Sequence, residues 1–447
     1  MTSVEKWRNC KKTIEKSKRF YSHFDYRTDI SKCWEYISDP NNIAKHSFYP
    51  FIHYVQKISK FSKTKGLKWK SRDICYASHM DRCIYQCYNF LLNSLYNDKC
   101  SKYKIDNVAV AYRTNLLGQS NIDFSKQVID FIKKSRNCYI MIGDFTNFFD
   151  SLDHKYLKKQ WCDLLGQDIL PPDHYSVYKN ISRYSKVELA DLLAHHKLDD
   201  TTKGRRELNS KRRVLSPIQL REKLVPITRN TIGIPQGSPM SGVLANIYML
   251  SADMKLLEYV SSLGGMYMRY SDDFIVILPD SNTATTIEGI KSIGAFFDGI
   301  EFPGLELQSS KTQYYHYTQN TITNIGKTID DNADDSNPQL NFLGFKFDGK
   351  NVSLRDKTVS KFYRRMRRKA KTISMSDGFT KRGNRISNEE LYKKYSIRGA
   401  SSKKGNFLTY VNRAMDNKRF GGDEPLNQVS KRNMHKLRFF LKKNYKN

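Results

Sequence analysis

Residues 266–278 read MYMRYSDDFIVIL. Two short apolar runs flank an acidic pair, Asp272-Asp273, a pattern that predicts a hairpin with its acids at the tip. Working outward, residues 138–150 read CYIMIGDFTNFFD, another buried-strand run that meets an acid, Asp144. Between them, residues 231–259 pass from a Gly/Pro turn into an apolar helix, GVLANIYMLSADMKLLEYV. A further helix is predicted over 283–299. The order strand, helix, strand, strand, helix, strand across 138–318 is that of a split βαβ sheet, so the fold class is α+β.

Acids at the ends of buried strands are costly unless a cation satisfies them. Mg²⁺ does so with oxygen ligands, usually a few carboxylates plus substrate phosphates. Two such ions about 4 Å apart activate a hydroxyl and stabilise a leaving pyrophosphate. One Asp alone reads as a turn cap. A strand-Asp followed by a strand-Asp-Asp-strand reads as a metal site.

Composition narrows the partners. The 447 residues include 76 Lys+Arg against 45 Asp+Glu, a net charge of +31. That excess points to a polyanion, nucleic acid before a membrane surface. Aromatics at 13%, with 28 Tyr and 24 Phe, exclude a disordered chain and suit base stacking beside phosphate contact. No apolar stretch of about 18 residues exists to span a membrane. The N-terminus, MTSVEKWRNCKKTIEKSKRF, lacks the apolar core of a secretory signal. All eight Cys lie at or before Cys162, none as C-x-x-C, which reads as free thiols in a reducing cytosol.

Residues 79–96 read as an amphipathic helix with Met80, Ile84, Cys87, Leu91 and Leu95 on one stripe. His79, Cys83 and Cys87 share a helix face at i, i+4 and i+8, which reads as packing rather than a metal site. Residues 171–230 predict two helices and a basic loop, KGRRELNSKRR. Residues 318–340, rich in Asp and Asn, read as a surface loop. Residues 341–354 suggest a hairpin turning at Asp348-Gly349. Beyond it, residues 355–371 carry nine basic residues and one acid, and residues 427–447 seven basic residues and none.

Four segments in this order resemble the reverse transcriptases. Asp144–Asp150, DFTNFFD, looks like the family's first palm motif, and Ile234–Pro239, IPQGSP, like its second. Tyr270-Ser271-Asp272-Asp273 matches the Tyr-x-Asp-Asp signature, and Asn341–Phe345, NFLGF, resembles the primer-grip region. The resemblance runs from about residue 45 to the C-terminus. It implies a right-hand polymerase fold. Residues 1–45 would form a helical extension, 46–135 the first part of the fingers and 136–160 the first part of the palm. Residues 161–228 would be a helical fingers/palm insertion, 229–350 the palm with a loop insertion at 318–340, and 351–447 a basic helical thumb and tail.

The resemblance also assigns roles. Asp144, Asp272, Asp273 and the Phe145 carbonyl would hold two Mg²⁺ ions, with Mn²⁺ as a substitute. Phe149 sits at the steric-gate position, which implies dNTPs rather than rNTPs. Gln236 and Gly237 would line the nucleotide pocket. Lys70, Arg72 and Arg113 would clasp the triphosphate, although Arg113-Thr114 stands where most relatives have Arg-Pro. Lys311 would protonate pyrophosphate. Phe342, Leu343 and Gly344, with Arg364, Arg365, Arg367 and Arg368 of the thumb, would touch the template–primer duplex.

Within the family, the absence of Cys beyond 162 argues against a zinc-bearing endonuclease domain, and the chain ends too soon for a ribonuclease H domain. The stretch PPDHYSVYKNISRYSKVELADLL and the form AYRTN resemble the bacterial defence-associated, or abortive-infection, reverse transcriptases. That group implies a cytoplasmic bacterial enzyme in antiphage defence. It would copy a structured non-coding RNA into cDNA, in some relatives as a homo-oligomer. A retron-type enzyme, a template-independent or protein-primed DNA synthesiser, and a catalytically silent RNA-binding scaffold are the alternatives. A silent relative usually loses at least one Asp, and this chain keeps all three.

Overall fold

The computed structural model describes residues 3–62, 66–297, 300–380, 383–421 and 424–442. Its centre is a five-stranded antiparallel sheet. The strands lie in the order Thr321–Asn324, Gln313–Thr318, Asn137–Asp144, Asp273–Pro279 and Met266–Tyr270. The last four are the split βαβ arrangement expected from the sequence, and they form the palm of a right-hand polymerase fold of the α+β class.

Both faces of this sheet are covered, which is why its strands are apolar throughout instead of alternating. Tyr139, Met141, Phe274 and Val276 pack towards the Ser241–Ser262 and Thr283–Ala295 helices. Ile140, Ile142, Ile275 and Ile277 pack against Ile122, Val128 and Ile132 of the Asn121–Ser135 helix. A small sheet of Leu340–Phe342, Phe345–Phe347 and Val352–Leu354 joins that second core. Gly143 leaves room for the Phe274 ring, whose Cζ stands 2.3 Å from where a Cβ would lie.

The fingers are a four-stranded sheet ordered Asp73–Tyr76, Phe51–Val55, Ser185–Glu188, Thr228–Arg229, with a separate hairpin of Ile58–Ser62 and Gly66–Lys70. Ser185–Glu188 lies within, and Thr228–Arg229 at the end of, the 161–228 segment expected to be a helical insertion with a basic loop. Ser185–Glu188 and Thr228–Arg229 are too short to show a period, and they form by pairing with each other and with Phe51–Val55. The expected basic loop is largely a helix, Thr202–Ser210. The helix read over 79–96 runs from His79 to Lys102 and is buried on several sides, with Cys83, Cys87, Tyr96 and Cys100 in the core.

The expected loop at 318–340 is also corrected. Thr321–Asn324 pairs with Gln313–Thr318, and a short helix, Gly326–Ile329, follows. The Asn residues are spent internally: the Asn324 amide donates to the Asp334 and Asn337 carbonyls. The turn at Asp348-Gly349 forms as expected, with Gly349 at φ 102°. In the thumb, Phe362, Met366 and Ala370 of the Asp356–Met375 helix are buried, and Met366 and Ala370 meet Leu437 of the Asn433–Lys442 helix. The spacing of those three residues leaves Arg364, Arg365, Arg367 and Arg368 on the open face. Residues 443–447 of the basic tail lie outside the described residues. Among the described residues, all eight cysteines are free thiols, and no helix is long and apolar enough to cross a membrane.

Candidate active site

The Met266–Tyr270 and Asp273–Pro279 strands are joined by Ser271 and Asp272 alone, with Tyr270 opposite Asp273. Such a tight hairpin needs positive φ, and Ser271 supplies it at 65° without being glycine. Its neighbours hold it there. Arg269 donates from one terminal nitrogen to the Ser271 carbonyl at 3.0 Å and to the Asn246 side-chain oxygen at 3.3 Å. Its other nitrogens donate to both oxygens of Asp253, at 2.8 and 2.6 Å. Arg269 and Asp253 are 0% exposed. Burial disfavours the guanidinium charge, but the Asp253 carboxylate outweighs it and the Arg269 pKa is raised. Tyr267 donates to the same carboxylate at 2.8 Å. From the fingers, Tyr112, itself at φ 61°, places its hydroxyl 2.9 Å from the Ser271 hydroxyl. Sequence reasoning missed Arg269, Asp253, Asn246 and Tyr112. A buried Arg beside the acidic pair, with an Asp in the apolar helix, was the available signal.

Asp144 and Asp273 are register partners on adjacent strands. Both line a 520 Å³ cavity with Tyr270, Lys311, Phe342, Leu343 and Gly344, so the structure brings these sequence-chosen residues together. Asp334 and Arg355 line it too and were not anticipated. Asp273 keeps solvent access, yet burial against the cavity wall and the charges of Asp272 and Asp144 push its carboxyl up to about 6. Arg355 and Lys311 work the other way. Lys311, from the Ser309–Lys311 turn, reaches the Asp144 carboxylate at 2.6 Å. Asp272 is not part of this wall. Among the described residues, no three His, Cys, Asp or Glu side chains are gathered closely enough to hold a metal ion. The donor chemistry of Asp144 and Asp273 nevertheless fits a hard divalent cation. The two carboxylates are register partners, burial and the neighbouring acids Asp272 and Asp144 raise the Asp273 pKa, and the Lys311 ammonium already pairs with Asp144.

Residues 191–347 match the family model described as reverse transcriptase (RNA-dependent DNA polymerase). Over those residues the chain is similar to a reverse-transcriptase domain. The match spans Gln236, Asp272, Asp273, Lys311 and the 341–345 segment, and begins after Asp144. Similar solved structures include apo telomerase from Candida tropicalis truncated from its C-terminal domain, at 14% identity and TM-score 0.41. That alignment covers 72% of this chain and 60% of the telomerase chain. Telomerase from Candida albicans in complex with a TWJ fragment of telomeric RNA aligns at 13% identity and TM-score 0.40, over 93% of this chain and 68% of the other. The apo Candida tropicalis telomerase aligns at 13% and 0.42, over 89% and 67%. The chain thus spans roughly two thirds or less of the length of these telomerases.

Within the reverse-transcriptase frame, Phe149 is half-buried against Phe148, and its carbonyl accepts from the Ile234 amide at 2.8 Å. That bond docks the IPQGSP turn onto the first palm motif. Gly237 has φ 114°, and a Cβ there would lie 2.6 Å from the Cys75 carbonyl oxygen, so the turn requires glycine. The Phe145 ring is core, packed on Phe148, Phe274 and Phe297. Lys70 and Arg72 are exposed at the base of the fingertip hairpin.

Arg113 is a correction. Its side chain is fully buried, paired with Asp106 at 2.8 Å, donating to the Ala109 carbonyl and lying over the Tyr96 ring. A guanidinium spent on that network holds the fingers segment and is not open to a triphosphate. Phe342 is likewise a core residue, so the primer-grip turn presents Leu343 and Gly344, both at positive φ. Arg364, Arg365 and Arg368, with Lys361, line a 410 Å³ pocket facing Ile58 and Ser59 of the fingertip, while Arg367 is exposed beside it.

Two outcomes follow. Arg269→Met strands Asp253 as a buried charge and should cost about 3–5 kcal/mol, read as a lowered melting temperature. Adding Asp253→Leu should restore much of the stability while leaving the Ser271 carbonyl unclamped, so activity should not return. Asp273 has a folded pKa above its unfolded one, so the folded protein holds the proton through the window from about 4 to about 6. Stability contributed by this group is present below about pH 4 and falls as pH rises through about 6. In chelator, Asp273→Asn should therefore melt slightly above wild type at neutral pH and converge with it in acid. Solvent access keeps the difference small.

Proposed function

We propose that the protein is an RNA-directed DNA polymerase that makes cDNA from dNTPs with two divalent ions, Mg²⁺ by preference, at Asp144, Asp272, Asp273 and the Phe145 carbonyl. The observation that carries this reading is the pairing of Asp144 with Asp273 across adjacent strands, at a cavity that also contains the primer-grip turn. When bound, such ions supply the positive charge that favours an ionised 3′-hydroxyl and a departing pyrophosphate. The chain's own residues do the rest. With Asp144 engaged by a metal, Lys311 would be free of that carboxylate, and its ammonium would donate a proton to the pyrophosphate. Lys70 and Arg72 meet the triphosphate, Arg72 with a fork suited to phosphate. The Phe149 ring fills the space that a 2′-hydroxyl would need. The thumb arginines hold backbone phosphates of the template–primer duplex.

The same reading extends to biology. The +31 charge favours a stable complex with a structured RNA, which serves as template. The resemblance of residues 171–193 and of AYRTN to the defence-associated enzymes supports a bacterial antiphage role in the cytoplasm.

The test is to purify the protein from cells carrying its own locus, sequence the nucleic acids that accompany it, and repeat with Asp272→Asn/Asp273→Asn. The expected result is one abundant RNA with complementary DNA that disappears in the double variant. DNA still made by the double variant overturns the assignment. DNA without a matching RNA, lost in the variant, replaces template copying with template-independent or protein-primed synthesis. Separately, Phe149→Ala should admit rNTPs, raising their use relative to dNTPs by about tenfold or more in primer extension. Unchanged sugar discrimination removes the gate role from Phe149.

A further inference from the structure

The primer-grip turn is strained. Leu343 stands at φ 46° without being glycine, next to Gly344 at 94°. What holds it comes from distant parts of the chain. Asn121, the first residue of the Asn121–Ser135 helix, donates from its side-chain nitrogen to the Leu343 carbonyl at 2.8 Å. Ser125, one helical turn on, donates to the Phe342 carbonyl at 3.4 Å. The amide of Arg355, which precedes the Asp356–Met375 helix of the thumb, donates to the Gly344 carbonyl at 3.1 Å. Asn121 also lines the cavity that contains Asp144 and Asp273.

The same Asn121 nitrogen has a second partner. It donates at 2.8 Å to the hydroxyl of Tyr410, on the Phe407–Ala414 helix of the thumb. A backbone carbonyl only accepts, so the amide must turn its NH₂ towards Leu343. Both of its hydrogens are then spent, one on the primer-grip turn and one on the thumb. Tyr410 is half-buried, and its ring lies 6.2 Å from that of Phe345, the residue that closes the turn. A second contact stands beside this one. Asp123 caps the same helix through Ser120 and also accepts from Arg419 at 2.8 Å. The thumb thus docks on this helix end at two points, and the Tyr410 point continues through Asn121 to Leu343.

We propose that Asn121 and Tyr410 are positioning residues through which the docked thumb keeps the primer-grip turn in its strained, duplex-binding form. This rests on the reading of residues 341–345 as the primer grip. The Tyr410 hydroxyl stops the amide from rotating away, and the amide keeps the Leu343 carbonyl turned inward. Without the link the turn relaxes, and only a fraction of the molecules presents the grip. The apparent affinity for duplex then falls by that fraction, while saturating duplex restores the competent form. The incoming nucleotide does not depend on the link, because the link ends on the turn.

The experiment measures single-nucleotide extension of a primer–template duplex, varying duplex and dNTP separately, for wild type, Asn121→Leu, Tyr410→Phe and the double variant. Asn121→Leu should raise the duplex KM about tenfold and Tyr410→Phe about threefold, with kcat at saturating duplex and the dNTP KM nearly unchanged. Tyr410→Phe removes one hydroxyl and keeps the ring against Phe345, so the fold is preserved. In the Asn121→Leu background, Tyr410→Phe should add nothing, because the hydroxyl acts through the amide. A merely structural role lowers the melting temperature and leaves the ratio of the two KM values alone. A duplex KM unchanged in both single variants, a dNTP KM that rises in step with it, or effects that multiply in the double variant overturns the proposal. Should wild type extend no primer, the polymerase assignment fails. The affinity of the same duplex for the four proteins, measured by fluorescence anisotropy, then decides the link, and equal affinities or no binding overturn it.

Discussion

The buried ion pair of Arg269 and Asp253 is the contact on which the active site rests. Removing two charges from water is expensive, and their mutual attraction repays it only when every remaining donor and acceptor is also satisfied. Here they are. Arg269 spends its donors on Asp253, Asn246 and the Ser271 carbonyl, and Tyr267 caps the carboxylate. The partners come from three parts of the palm: Arg269 from the edge strand, Asp253 and Asn246 from the Ser241–Ser262 helix, and Ser271 from the turn. Asn246 also donates to the Ala111 carbonyl, and the Val108–Val110 segment bonds along the backbone of Arg269. One guanidinium thus fixes the acidic turn to the helix beneath it and to the returning fingers chain.

Electrostatics divide the molecule in two senses. The surface is strongly basic, which suits a polyanion, whereas the floor of the cleft gathers Asp144, Asp273 and Asp334. Such a floor repels nucleic acid unless cations stand on it. Lys311 neutralises part of it, while burial and the charges of Asp272 and Asp144 make Asp273 hold its proton more tightly.

The palm was legible because its signals are local. CYIMIGD and MYMRYSDDFIVIL are apolar runs that end on acids, and their order along the chain specified the sheet. The hairpin turning at Asp348-Gly349 and the basic face of the Asp356–Met375 helix were legible for the same reason. What escaped were features made by distant pairing. Ser185–Glu188 is a strand only because Phe51–Val55 lies beside it. Thr321–Asn324 looked like a polar loop because its partner strand supplies the order that its own residues do not. Arg113 looked like a free phosphate ligand because nothing in the sequence reveals that Asp106 and Tyr96 enclose it.

The strand order has a consequence for how the chain acquires its shape. Asn137–Asp144 is the middle strand of the palm, yet both of its neighbours are synthesised long after it. Phe51–Val55 similarly waits for Ser185–Glu188 before its parallel edge is covered. Contacts so distant in sequence close slowly. Seven of the eight cysteines are buried in the finished fold, and all eight precede most of the elements that complete the cores around them. Much of the apolar surface of the amino-terminal half is covered only by segments that leave the ribosome after it.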